Sequence, residues 1–420
     1  YSYQIPSGLS RGLESEGEVS GYFLPEDGTR NEAERRQVGY HSSAECPDLQ
    51  VGDEWHDFAL GPRWGTLTIP EHGSTAMKRA FKYKLDPNRA VEARLDETLA
   101  VCRELYNSAL SERRNAYRAT GKGVGFAAQS RQLPEIKAVR EDVAAVHSQI
   151  LQDVLWRVDA AFGRFFDGLT RGRRVGYPRF RGAGRYRSFT YPQSGFALDG
   201  DRLTLSKIGQ VKLWVSRQLE GTVKTLTITR EADGWYAVFT CEVPEPEPLP
   251  AAGRVLGIDV NLENFLTDSD GGRVENPRFF RSSEKKLATA QRELARKKKG
   301  SKRRARARAR VARLHQTIAR QRLDFAHKTA LGLVRTCDVI FFECLMIANM
   351  VRNPHLAKSI SDVAWRQFLD VLQAKAESAG RVAKNVDPRG TTQQCSGCGE
   401  VVPKGLSVRW HSCGHCGLEL

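Results

Sequence analysis

Hydrophobic and polar positions change their period along the chain. Residues 78–85 alternate, with Phe81, Tyr83 and Leu85 on one side, which predicts a strand. Pro87 and Asn88 follow. Leu95, Leu99, Cys102, Tyr106 and Leu110 then recur at helical spacing to about Tyr117, and Gly121-Lys122-Gly123 ends that helix. A second long helix is predicted over about residues 144–169, with Leu151, Leu155, Val158, Phe162 and Leu169 as its core-forming face. From Phe196 to Val243 the period returns to two, with turns at Asp199-Gly200-Asp201 and Asp233-Gly234. This predicts a small antiparallel, barrel-like sheet that the 78–85 strand joins. Four prolines between Pro244 and Pro250 make a stiff linker and a domain boundary.

Beyond the linker, the apolar run Val255-Leu256-Gly257-Ile258 closes on Asp259. A second short run, Asn264–Thr267, closes on Asp268-Ser269-Asp270-Gly271, so two paired strands are expected. The run Val339–Phe342 closes in the same way on Glu343. An acid in a buried-strand pattern is costly unless compensated, and a divalent metal is one compensation. Two carboxylates from neighbouring strands would form the core of a metal-dependent phosphodiesterase site, although a single strand-end acid is more often structural. Between them lies a basic helical pair, about 283–299 and 302–333. Residues 285–322 hold sixteen Lys or Arg and one acid, Glu293. Leu287, Leu294, Val311, Leu314, Ile318 and Phe325 mark narrow packing stripes. The remaining positive charge is too dense for an ordinary solvated face without a polyanion. Ser361-Asp362 is expected to cap a helix that turns Trp365, Phe368, Leu369 and Leu372 inward.

Charge sharpens this picture. The formal net charge of the 420 residues is +16. Residues 1–76 carry 13 acids and 5 bases, net −8, which leaves +16 − (−8) = +24 for the rest. A polyanionic partner follows, nucleic acid first. Residues 1–76 lack a sustained period and read as a disordered or spurious acidic extension rather than a small acidic domain. Arg171–Gln193 has seven arginines and no acid, with Tyr177, Phe180, Tyr186, Phe189 and Tyr191 between them. Arginines for phosphates, with rings for stacking, are a nucleic-acid signature. No apolar run reaches membrane-spanning length, so no membrane partner is expected. Four of nine cysteines form Cys395-Ser-Gly-Cys398 and Cys413-Gly-His-Cys416, a C-x2-C-x14-C-x2-C pattern. Four thiolates fit a closed, structural Zn2+ site, with Gly399 and Gly417 easing the turns that aim N–H groups at sulfur. His411 and His415 lie close by but are not needed as ligands. The five scattered cysteines suit a reducing compartment.

Seven stretches in order, MKRAFKYKLDP, VGYPRFR, GIDVNLENFLTDSDG, FFECLMIANM, SISDVAWRQF, VDPRGTTQQCSGCG and CGHCG, together with the basic helical pair, resemble the TnpB family of transposon-encoded RNA-guided nucleases, relatives of compact type V CRISPR effectors. The resemblance covers about residues 77–420. It implies a mixed α/β, multi-domain fold. An N-terminal β-barrel-like wedge module (77–90 and 186–250) is interrupted by a helical recognition lobe (91–185). An RNase H-like RuvC domain (251–390, with the basic pair at 283–333) and a zinc ribbon (391–420) follow.

The resemblance makes Asp259 and Glu343 the first two RuvC acids. It places a third, an Asp in a D-x-x-N-A-A-like stretch, beyond Leu420, and implies two Mg2+ ions about 4 Å apart. The start at Tyr1 likewise leads us to expect sequence upstream. Cys344, Asn261 and Glu263 depart from the residues common in the family, and none is an expected ligand. The implied partners are a guide RNA and target double-stranded DNA, bound by a monomer in a prokaryotic cytoplasm. Arg179, Arg181, Arg185, Arg187, Lys297, Lys298, Arg303 and Arg304 are expected along the RNA or hybrid backbone. The implied function is RNA-guided cleavage of DNA beside a short flanking motif. A nuclease-dead guided DNA binder and a non-enzymatic zinc-ribbon protein are the alternatives. A strand-transferring transposase fits the resemblance less well.

Overall fold

The computed structural model describes residues 77–390, 393–405, 408 and 410–419. The reading of residues 1–76 lies outside them. The first alternating stretch is strand β1 (Met77–Asp86). Asn88 caps helix α1 (Arg89–Thr120) by accepting the Val91 N–H at 2.9 Å. Gly121, at φ +68°, ends it with its own N–H on the Tyr117 carbonyl. Three short helices, α2 (Phe126–Arg131), α3 (Leu133–Val139) and α4 (Glu141–Ala144), lead to α5 (Ser148–Thr170). Leu151, Leu155 and Val158 of α5 are buried as expected. Leu169 is instead 51% exposed, because α5 runs past the core it packs on.

Six further strands follow: β2 (Ser188–Tyr191), β3 (Phe196–Asp199), β4 (Arg202–Leu205), β5 (Gly209–Trp214), β6 (Thr222–Glu231) and β7 (Gly234–Val243). With β1 they form one antiparallel sheet in the order β2-β6-β7-β1-β5-β4-β3. β1 thus sits at its centre, with Phe81 opposite Phe239 and Leu85 opposite Leu213. The two edge strands, β2 and β3, are consecutive in sequence and touch. The Tyr191 ring lies 6.2 Å from Phe196, and the Tyr191 hydroxyl donates to the Ser206 carbonyl at 3.0 Å. The sheet therefore curls almost closed, which shelters edges that would otherwise pair with other chains. The turn between β2 and β3 needs Gly195. Its φ is +93°, and a Cβ there would sit 2.8 Å from the His147 ring.

The second half holds β8 (Val255–Val260), β9 (Asn264–Asp268), β10 (Arg273–Glu275), α6 (Phe279–Ala295), α7 (Lys302–Thr336), β11 (Val339–Glu343), α8 (Ile347–Met350), α9 (Ala357–Val363), α10 (Trp365–Ser378) and β12 (Val382–Val386). Its sheet has the order β10-β9-β8-β11-β12. β10, β9 and β8 pair antiparallel, whereas β8, β11 and β12 run parallel. Leu256, Ile258, Ile340 and Phe342 on one face share a core with Ala326, Ala330 and Val334 of α7 and with Phe368 and Leu372 of α10. This core is separate from the one inside the first sheet.

Asp362 does not cap the helix that follows it. It lies inside α9, and α10 starts from Ala364 in the left-handed region at φ +59°. The Asp362 carboxylate instead accepts the N–H groups of Phe280 (2.8 Å) and Arg281 (3.0 Å), capping α6 from 82 and 81 residues away, and also pairs with Arg322 at 2.8 Å. A buried carboxylate needs those donors, and the free N–H groups of a helix start supply two of them.

The β6–β7 turn docks on α7 through charge. Arg320 donates to Asp233 (2.8 Å), Glu231 (2.7 Å) and the Tyr236 hydroxyl (2.9 Å). Gln316 donates to both acids at 2.7 Å, and Lys82 pairs with Glu231. Burial pushes both carboxyls up, but the hydrogen bonds from Lys82, Arg320 and Gln316 to Glu231, and from Arg320, Tyr236 and Gln316 to Asp233, outweigh it. Both stay below their ordinary values of 4.5 and 3.8. Groups with depressed folded-state values add stability above their unfolded values, and that stability is lost on acidification. Arg320→Ala should therefore lower stability at neutral pH by about 1–2 kcal/mol, its partial exposure keeping the figure small. The gap to wild type should be full above about pH 5, narrow as pH falls through the ordinary values of 4.5 and 3.8, and still be open at about pH 3, closing only below the depressed folded-state values. Thermal melts of the two proteins across that range check this; a gap independent of pH would rule out the ionic account.

Candidate functional site

Parallel pairing sets Asp259 and Glu343 side by side. β11 runs beside β8 with Val339 opposite Val255 and Phe342 opposite Ile258. The next residue on each strand is Glu343 and Asp259, respectively. Ile258 and Phe342 face the α7–α10 core, so both acids, one position on, face the other side. Neighbouring strands lie about 4.8 Å apart, so the two acids leave the sheet as neighbours on one face. Gly257, Phe341 and Lys384 lie on that same face by register.

Burial does not distinguish Asp259, contrary to the sequence argument. β8 alternates buried and open positions, and Asp259 takes an open one, so the cost of an acid in a buried strand does not single it out. Glu343 is half-buried. Register, not burial, singles out the pair. Asn261, one of the departures from the family pattern, holds the turn after β8. It accepts the Asn264 N–H at 2.8 Å and donates to the Thr267 hydroxyl at 3.3 Å.

The four cysteines converge. The sulfurs of Cys395, Cys398, Cys413 and Cys416 all lie within 4.8 Å of one another, the only such group of metal-ligand side chains among the described residues. Cys395 and Cys416 are 3.5 Å apart, and Cys398 and Cys413 3.6 Å. A tetrahedral zinc with bonds near 2.3 Å sets its sulfurs about 3.8 Å apart, so the cluster fits. Each pair sits in a turn closed by a glycine with positive φ, Gly399 at +76° and Gly417 at +73°. The backbone N–H groups of Cys398 and Gly397 pull the Cys395 thiol down to about 7, and those of Cys416 and His415 lower Cys413. Cys398 and Cys416 go up despite N–H bonds from Glu400 and Leu418. Four thiols packed together cannot all lose their protons unless a cation sits among them.

The basic residues divide into exposed and structural ones. Arg179, Arg181, Arg185 and Arg187 are exposed. Arg181 is anchored by its backbone, which exchanges two hydrogen bonds with the Asn107 side chain, and its guanidinium lies over the Tyr106 ring. Three of the rings expected to stack on bases are core instead. From Ser188 the stretch becomes β2, whose alternation turns Phe189 and Tyr191 inward, and Tyr186 packs on Tyr106. Tyr177 and Phe180 remain exposed. Lys297 and Lys298 lie past the end of α6, in the turn that leads to α7, the first half-buried and the second exposed, and Arg303 is exposed on α7. Arg304 donates to the Leu294 and Lys297 carbonyls at 3.0 and 2.8 Å, a cation closing the C-terminal end of α6. The Arg320 junction went unforeseen: a count of charges does not say which base meets which acid.

Three family models match parts of the chain. Residues 238–354 match OrfB_IS605, "Probable transposase"; residues 365–420 match "Cas12f1-like, TNB domain"; residues 77–122 match an OrfB_IS605 "Helix-turn-helix domain". That last stretch folds here as one strand and one long helix, β1 and α1. A Streptomyces pristinaespiralis protein named "Putative RNA-guided DNA endonuclease" is 35% identical over 350 residues, spanning 81% of this chain and 85% of that one. The Escherichia coli K12 "Putative RNA-guided DNA endonuclease InsQ" is 30% identical over 344 residues, spanning 77% and 84%. A chain in the cryo-EM structure of a Cas12f1–sgRNA–target DNA complex aligns over 74% of this chain and 76% of that one, with a TM-score of 0.48 and 14% identity.

Proposed function

The chain belongs to the TnpB family of RNA-guided DNA endonucleases, and on that footing we propose that it cuts DNA at sites chosen by a bound guide RNA, beside a short flanking motif. The observation that carries the nuclease part is the register of β8 and β11, which puts Asp259 and Glu343 in one row on an open sheet face. An antiparallel β10-β9-β8 half continued by parallel β11 and β12 suits an RNase H-like, RuvC-type core. Asp259 and Glu343 would help to hold divalent metal. When bound, magnesium supplies an activated water and charge neutralisation at the scissile phosphate. The chain's own part is to present these carboxylates on rigid strands and to hold nucleic acid. Arg179, Arg181, Arg185, Arg187, Lys298 and Arg303 stand exposed for phosphate contacts; Arg304 serves α6 and contributes at most at its margin. Base pairing with the guide would supply sequence choice, as the protein grips the hybrid by its backbone. The four cysteines would hold structural zinc.

Purifying the full-length protein with RNA transcribed from the DNA around its gene tests this reading. The bound RNA is sequenced, and its guide segment rewritten to match a plasmid. Magnesium-dependent cutting that follows the rewritten guide is expected. Guide-dependent binding without cutting would favour the nuclease-dead alternative, and no guide dependence would refute the proposal.

A further inference from the structure

The far end of α5 carries rings that the core does not use. Phe165 lies 5.3 Å from Phe166 and 5.4 Å from Tyr177, and Phe162 lies 5.5 Å from Tyr177. Phe162 packs partly on the first core, so the group is rooted at one end. At the other end Phe166 is 57% and Tyr177 45% exposed. The loop that brings Tyr177 back onto α5 is tightly held. The Arg173 N–H bonds to the Gly168 carbonyl at 2.8 Å, and a Cβ on Gly168 would lie 2.4 Å from Val175. The rings are thus preorganised before any partner arrives. Residues 164–181 contain six arginines (Arg164, Arg171, Arg173, Arg174, Arg179, Arg181) and a single acid, Asp167.

Exposed apolar rings on a soluble chain mark a binding surface. Flat rings within a one-signed positive field fit a polyanion with flat faces, that is, unpaired nucleobases on a phosphate backbone. A duplex hides its base faces inside the stack and offers such rings only its ends. We propose that Phe166 and Tyr177, backed by Phe165 and Phe162, form a stacking platform for unpaired bases of the bound RNA. RNA is favoured over the DNA target because an exposed apolar cluster is best covered by a partner that stays bound, and on the function proposed above, on which this inference rests, the guide is resident while the target is transient. The platform also replaces the stacking role that Tyr186, Phe189 and Tyr191 give up to the core.

The test uses the full chain and fluorescence anisotropy at about 0.3 M salt, where backbone electrostatics are weakened. The probes are a single-stranded RNA of about 20 mixed nucleotides, the same strand without bases, and a DNA strand of the same sequence. The Phe166→Ala/Tyr177→Ala variant should bind the RNA about 10- to 100-fold more weakly and the baseless strand within about twofold of wild type. Phe166→Trp should restore most of the loss in the Tyr177-intact background of Phe166→Ala. Equal loss on the baseless strand, or no loss on RNA, overturns the platform. Loss confined to the DNA strand assigns the rings to DNA and also overturns it. So does concentration-dependent self-association of the wild type that the double variant abolishes while RNA affinity is unchanged. A wild type that copurifies with no RNA at all would instead overturn the guided function.

Discussion

Asp259→Ala in the full-length protein should abolish guided DNA cleavage and leave RNA binding unchanged. The substitution falls on the open face of β8, whose other face buries Leu256, Ile258 and Val260. The fold should therefore survive, with a melting temperature close to wild type. Cleavage should not. Removing a group that merely orients a metal ligand costs about 10- to 100-fold, so loss of a ligand should cost at least about 10³-fold. Glu343→Ala should do the same, and the double variant should be little worse than either, because ligands of one site act as a unit. Asp270→Ala is the control. Asp270 is an exposed acid just past β9 that pairs with Arg254 at 2.5 Å, and its loss should leave cleavage within about twofold. Cleavage of a matched plasmid and filter binding of the RNA, measured on the same preparations, separate the outcomes. Near-wild-type cutting by Asp259→Ala would remove the metal-ligand role.

Local signals in the sequence translated well where one residue type had one structural use. Asn88 and Gly121 bracket α1 because a side-chain oxygen satisfies a helix start and a residue without Cβ satisfies its end. The alternation at 78–85 gave a strand, and its capacity to join the later sheet proved to be a place at that sheet's centre. The CxxC pairs converge on one point, as their spacing required. Signals with two uses did not translate. A ring between arginines can stack on a base or fill a core, and the entry into β2 decided for the core at Phe189 and Tyr191. Asp362 looked like a cap for the next helix and caps α6 instead, a contact set by tertiary packing that no window on the sequence contains. Arg304 counted as one more positive charge and is committed to a helix end. Asp259 was singled out for burial it does not have. The parallel register with β11 is what places it beside Glu343, and pairing register between strands about 80 residues apart is invisible without the fold.

Removing zinc should unfold the cysteine-bearing segment and leave both sheets in place. Among its described residues, only Cys395, Cys413 and His411 are buried, so almost no apolar surface is withdrawn from water there. Among the same described residues, β-pairing amounts to two isolated bridges, Gln394 with Val401 and Ser412 with Glu419. A segment with so little core depends on its metal for folding free energy. The sheets have cores of their own, one of them built around Leu256, Ile258, Phe342 and Phe368, and neither includes Cys395, Cys398, Cys413 or Cys416. We expect about one zinc per chain by elemental analysis. A strong chelator, or Cys395→Ser with Cys413→Ser, should then strip amide protection from residues 393–405 and 410–419 while β1, β7, β8 and β11 keep theirs. Acid should act like the chelator, because thiolates must stay deprotonated to hold the metal, and lowering pH returns their protons. Hydrogen exchange with and without chelator reads all of this in one experiment. Unchanged protection at Gly399 and Gly417 after verified metal loss would mean that the turns stand on their own hydrogen bonds, and the four cysteines would lose their structural role.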